Sequence, residues 1–145
     1  MTKIIYTAEV MQIMSLFDRI THVGLKDCIV SDKLLVFIVP ENNIGKAIGK
    51  NGRNVRILEK ALKRKVKIVE FSNDVKVFTK NLLMPLKTKD VIDDDNTIIV
   101  EPFDTITRGQ MIGRNAQNLR YTEGLIKRHF PIKELRINGT KVKRA

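Results

Sequence analysis

Tryptophan is absent from this chain of 145 residues, cysteine occurs once, and proline and glycine number only 4 and 8. A lone cysteine, Cys28, cannot form an internal disulfide, which excludes a cross-linked secreted scaffold; its alternating, strand-like surroundings predict a buried, inert thiol. Scarce proline and glycine exclude long flexible linkers and low-complexity tracts. The longest apolar stretches, such as 34–40, are far too short to span a bilayer. The first residues, Met1-Thr2-Lys3-Ile4-Ile5-Tyr6, lack the apolar segment and small cleavage-site residues of a signal peptide. A cytoplasmic protein with no membrane partner is expected. Acidic residues are also in short supply: 16 against 27 Lys and Arg, a formal net charge of +11. A surface this basic draws polyanions by releasing their condensed counterions. Hydrophobic residues, at 43%, suffice for a packed core.

The hydrophobic pattern gives the order αββααβ, twice. Val10, Ile13, Met14, Phe17 and Ile20 have helical spacing over 7–20, with Thr7 as N-cap and Gly24 as the stop. Strands are predicted at 25–30, 34–39 and 66–71, and helices at 43–49 and 53–64. The second round places helices at 74–83 (capped by Ser72 or Asn73), 105–113 and 116–129, and strands at 86–92, 97–101 and 133–137. Shifting the chain by 64 positions superposes Gly45, Ile48, Gly49, Asn51, Asn54, Arg56, Glu59, Lys63 and Arg64 on identical residues. Nine identities in twenty positions mark an internal repeat. Two homologous domains are therefore expected, 1–72 and 73–138, followed by a basic tail at 139–145.

The informative stretch is Ile44-Gly45-Lys46-Ala47-Ile48-Gly49-Lys50-Asn51-Gly52-Arg53-Asn54-Val55-Arg56. Two helices meet at a tight loop whose glycines let a sugar-phosphate chain approach the backbone. The second helix begins at the loop, so its free N–H groups face the same space. Lys46, Lys50, Arg53 and Arg56 add positive charge, and Ile44, Ile48 and Val55 can wall a groove for unstacked bases. Nine Lys or Arg fall between Gly45 and Lys67, opposed only by Glu59. Ile48-Gly49-Lys50-Asn51-Gly52 resembles the KH signature, IGxxG followed by an aliphatic residue. The helix-first order resembles its type II form, and the tandem arrangement resembles the archaeal branch of the NusA transcription-factor family over about 7–137.

That resemblance implies an α+β fold of two tandem type II KH domains, each a three-stranded sheet covered by helices. It implies a non-enzymatic, monomeric protein without cofactor or metal that binds single-stranded RNA in transcription termination or antitermination. RNA polymerase or other transcription factors are further partners it suggests, although the length leaves no room for the polymerase-binding and S1 domains of bacterial members. A KH-type factor in rRNA maturation or ribosome assembly is the alternative. The first RNA-binding set is Ile44, Gly45, Lys46, Ile48, Gly49, Lys50, Asn51, Gly52, Arg53 and Arg56. The second is Gly113, Arg114, Asn115, Ala116 and Arg120. There Ala116 replaces a glycine; taken as helical, alanine costs nothing in backbone terms, while narrowing the approach by one methyl. Gln117 lacks the charge of Arg53, so the second site is expected to bind more weakly or to prefer different nucleotides.

Other chemistries find no footing. Asp93-Asp94-Asp95 has the composition of a solvated turn. His22 is placed to close a helix, and His129 sits at a helix C-terminus without ligand-spaced companions. The glycine-lysine segment does not match GxxxxGK[ST], and no nucleophile–base arrangement is present.

Overall fold

In the computed structural model residues 4–138 are described; the tail expected at 139–145 lies outside them. The chain divides into two compact units, one of them Ile5–Ser72 and the other taking the chain from Asn73 onward. Both are α+β, with one three-stranded sheet each.

The first unit starts with α1 (Ala8–Thr21), closed at its N-terminus by the Thr7 hydroxyl, which accepts the Val10 N–H. The helix stops earlier than Gly24. His22 turns left-handed at φ 59° and donates its N–H to the Asp18 carbonyl at 2.7 Å, a conformation histidine adopts more readily than most residues. Then come β1 (Asp27–Val30), β2 (Leu34–Val39), α2 (Ile44–Ile48), a tight turn (Lys50–Gly52), α3 (Arg53–Leu62) and β3 (Lys65–Glu70). The central β2 pairs antiparallel with β1 and parallel with β3. Successive side chains on a strand face opposite ways, so Leu35, Phe37 and Val39 share one face; they are buried in a core with Ile13, Phe17, Val23, Cys28, Ala47 and Leu58. Phe17 stacks on Phe37 with ring centroids 4.4 Å apart. A fully buried carboxylate, Asp27, sits at the start of β1 and accepts from the Tyr6 hydroxyl at 2.7 Å and the Cys28 N–H at 2.8 Å.

The second unit repeats the order with α4 (Val75–Leu83), β4 (Thr88–Asp94), β5 (Thr97–Pro102), α5 (Thr105–Ile112), a tight turn (Arg114–Ala116), α6 (Gln117–Lys127) and β6 (Glu134–Ile137). Its central β5 pairs antiparallel with β4 and parallel with β6. Asp74 caps α4, in place of Ser72 or Asn73. Asp95 and Asn96 both take positive φ and form the hairpin turn between β4 and β5. Asp93 accepts the Asn96 N–H at 3.0 Å, and Asp95 pairs with Lys133 at 2.9 Å. His129 is buried with its ring edge-on to Phe78 at 5.8 Å.

The two interhelical turns share one backbone. Gly49 and Gly113 have φ/ψ of 80°/169° and 73°/177°. Asn51 and Asn115 are left-handed at φ 55°, followed by Gly52 at 74° and Ala116 at 60°. Ala116 is therefore not helical, and the expectation that alanine is free of backbone cost fails. It holds the angles that glycine holds in the first unit, where a Cβ crowds the following carbonyl at about 1–2 kcal/mol. Replacing Ala116 by glycine also frees the unfolded chain, which opposes the gain by about 0.4–1 kcal/mol. Ala116→Gly should thus raise stability by roughly 0.5–1 kcal/mol, and Gly52→Ala should lower it by a similar amount. Urea unfolding followed by circular dichroism checks both; loss of stability in Ala116→Gly would contradict the left-handed assignment.

Candidate nucleic-acid interface

The loop of the first unit is shaped by the contact between Gly49 and Asn54. Helix α2 ends at Ile48, and Gly49 takes a φ/ψ region essentially confined to glycine. A Cβ there would lie 2.9 Å from the Asn54 side-chain nitrogen and 3.2 Å from the Asn54 backbone nitrogen. The space is needed because the Asn54 amide reaches back to donate to the carbonyls of Lys46 at 3.2 Å and Ala47 at 3.1 Å, closing the end of α2. In the second unit a Cβ on Gly113 would lie 2.7 Å from the Asn118 amide, which donates to the Gln110 carbonyl at 2.9 Å. A second structural tie is also duplicated. Glu59 accepts the Val66 N–H at 3.0 Å, and Glu123 accepts the Leu135 N–H at 2.8 Å, each joining the long helix to the strand after it. Asn54 and Glu59 stood out in the sequence as repeat identities, with no role assigned to them; the geometry makes them scaffold.

What the scaffold presents is an uncapped helix start. Thr7, Asp74 and Asp104 each accept an N–H at the start of α1, α4 and α5. Helices α3 and α6 have no side-chain cap and no acidic residue in the first turn. The Arg53 and Gln117 N–H groups bond to the Lys50 and Arg114 carbonyls within the turns, and no side chain opposes the partial positive charge of either helix start. Gly45 and Gly109 are exposed, with nothing within 4 Å of the position a Cβ would take.

The sequence-predicted cations do not all gather here. Lys46, Lys50, Arg53, Arg56 and Lys60 are exposed on α2, the turn and α3. Arg53, Arg56 and Lys60 share one face of α3 by their spacing. Arg56 also donates to the Asn51 carbonyl, bracing the turn. Lys63, left-handed at φ 54°, ends α3, and Arg64 reaches Glu9 at 3.6 Å and the Ser31 carbonyl at 3.4 Å. Lys65 and Lys67 lie on β3, where burial pushes the half-buried Lys67 ammonium below its usual value. In the second unit the matching face of α6 carries Gln117, Arg120 and Gly124, and Lys46 is matched by Gln110. Arg114 and Arg120 are exposed, whereas Lys127 lies 3.9 Å from Glu123.

Of the expected apolar wall, Ile44 packs against the core, while Ile48 and Val55 are half-buried. Ile57 on α3 is 39% exposed and was not anticipated. Among the described residues no three His, Cys, Asp or Glu side chains are placed to hold a metal, and no helix is long and apolar enough to cross a membrane.

A family model described as "NusA-like second KH domain" matches residues 8–76, nearly all within the first unit. The chain is 30% identical over 141 residues to a protein of Methanocaldococcus jannaschii named "Probable transcription termination protein NusA", covering 94% of this chain and 76% of that one. A protein of the same name from Halococcus morrhuae is 28% identical, covering 86% and 91%. The crystal structure of APE1850 superposes with a TM-score of 0.71 at 27% identity, covering 92% of this chain and 100% of that chain. Similarity of this extent to the archaeal relatives means that the chain belongs to the NusA-like family of KH proteins.

Proposed function

We propose that the two units are tandem type II KH domains, 1–72 and 73–138, and that the chain binds single-stranded RNA through both loops as a non-enzymatic factor. The observation that carries this reading is the duplicated turn: a glycine-only bend, a left-handed asparagine and an uncapped helix start, flanked by exposed cations. Backbone phosphates would lie against the turn and the N–H groups of α3, with Lys46, Lys50, Arg53 and Arg56 as counterions. Unstacked bases would lie beside Ile48 and Val55, in the manner of a KH module that clamps about four nucleotides. The names of the archaeal relatives support a place in transcription termination or antitermination, in the cytoplasm, with RNA polymerase as a further partner. Recovery of the RNA cross-linked to the protein in cells tests that role: nascent transcripts support it, and enrichment of rRNA precursors would move the assignment to ribosome maturation.

Single strands should bind more tightly than their perfect duplexes at one salt concentration, and binding should weaken as salt rises, with a slope of about −0.7 per phosphate contact. Lys50→Asp with Asn51→Asp should lower affinity at least tenfold, about 1.4 kcal/mol, with an unchanged circular dichroism spectrum. Both positions are exposed, and aspartate tolerates the left-handed conformation of Asn51. Unchanged affinity in a folded variant would remove the turn from the interface.

Arg114→Asp with Asn115→Asp should weaken binding less, and mainly on RNA long enough to reach both units, because the second contact then acts at high effective concentration. Titrations with a short and a long strand separate the cases. Equal losses for the two double variants on the short strand would make the sites equivalent, and no loss on either strand would make the second unit a structural platform.

A further inference from the structure

The helix after each turn leaves one large apolar side chain exposed. Among the described residues nine large apolar side chains are exposed, and Ile57 and Tyr121 are the one pair of them that the 64-residue repeat superposes. They are 39% and 38% exposed. Each stands at the fifth position of its helix, four residues, or about 6 Å by helix rise, beyond the turn. Ile57 lies about 200° around α3 from Val55, the apolar wall of the loop, and beside the face that carries Arg53, Arg56 and Lys60.

The surroundings select the kind of ligand. Residues three and four positions away share a helix face: Arg53, Asn54, Lys60 and Ala61 around Ile57, and Gln117, Asn118, Gly124 and Leu125 around Tyr121. Leu125 is buried, so neither helix offers an outward apolar stripe for a partner helix to cover. The acids of α3 and α6, Glu59 and Glu123, are the ones tied to the following strands, and Arg114 and Arg120 are exposed near Tyr121 in the chain. One apolar surface in a cationic setting suits one unstacked base of a polyanionic strand, and a single aromatic ring is enough because every base has a π-face. Where Lys60 stands in the first unit, Gly124 has nothing within 4 Å of the position a Cβ would take, so the helix beside the Tyr121 ring is bare. Burial pushes the Tyr121 hydroxyl above its ordinary pKa, with Arg128 drawing it back; the ring stays uncharged at neutral pH and does not repel phosphates.

We propose that Tyr121 is a stacking platform for one base of the bound RNA, flanking those held at the turn of the second unit, with Ile57 as its weaker aliphatic counterpart in the first; the inference rests on the RNA-binding reading above. The test uses the full chain and a single-stranded RNA long enough to reach both units. The chain has no tryptophan and two tyrosines, Tyr6 and Tyr121, so its emission is tyrosine fluorescence, which stacking should quench. RNA should lower the wild-type emission, and that loss should vanish in Tyr121→Phe, which keeps the ring and the affinity and corrects for absorption by the RNA. Tyr121→Leu, which keeps apolar bulk without the ring, should bind about tenfold more weakly with an unchanged circular dichroism spectrum. An abasic nucleotide moved stepwise along the strand should weaken the wild-type chain at one position where it leaves Tyr121→Leu unaffected. A quench that persists in Tyr121→Phe, a Tyr121→Leu variant that binds as tightly as wild type, or identical abasic profiles in the two proteins overturns the platform while RNA binding stands. A chain that binds no strand overturns the RNA-binding reading and the platform with it.

Discussion

There is no room for a methyl group on Gly49, and the loop geometry depends on that. The amide of Asn54 occupies the space a Cβ would take, 2.9 Å from it, and spends its hydrogen atoms on the last carbonyls of α2. One side chain thus ends one helix from the first turn of the next. With α2 closed from behind by Asn54, the turn needs no capping residue of its own at its outer face. Lys50 and Asn51 are left exposed, and the start of α3 carries no side-chain cap. A glycine usually credited to close approach by a ligand is, at this position, required by the protein itself.

The nine identities between the two halves can be sorted on this basis. Gly49, Asn54 and Glu59, with Gly113, Asn118 and Glu123, build the turn and tie the helix to the strand. Gly45 and Gly109 have open space where a Cβ would stand, and keep the outer surface of the helix low. Three of the positions that differ replace a surface cation: Lys46 against Gln110, Arg53 against Gln117, Lys60 against Gly124. The repeat keeps the backbone device and varies the electrostatics around it. Exposed cations change little in stability, since they lie in water, but each one alters the potential that a polyanion meets.

Elements driven by periodic burial were legible in the sequence. Strand β2 is found at the predicted residues because Leu35, Phe37 and Val39 must face the helices, and α1 begins where Thr7 can cap it. Features set by one atom's neighbours were not. Asp27 looks like any surface acid until Tyr6, 21 residues away, supplies the hydroxyl that accompanies its burial. The left-handed conformation of Ala116 had no local signal, because alanine is a strong helix former; only the superposition on Gly52 carries it. Of the nine basic residues counted as one patch, Arg64 is drawn to Glu9 and Lys67 is half-buried on a strand. A charge count along the chain does not show which way side chains leave their elements.

In the proposed RNA-binding mode a weaker second copy would be of physical use, because the first already supplies attraction. Two strongly basic sites on one chain would bind any RNA tightly and distinguish little, since phosphate contacts carry no sequence information. Between residues 5 and 72 there are twelve Lys and Arg against seven Asp and Glu; between 73 and 138 the balance is eleven against nine. On that proposal, a strand caught by the first unit would meet the second at an effective concentration far above its concentration in solution. A contact too weak to bind alone would then change occupancy measurably. Strain at Ala116 and a near-neutral surface would be tolerable in such a second site, because the first would already have brought the ligand close. The same asymmetry would be a defect in either unit acting alone.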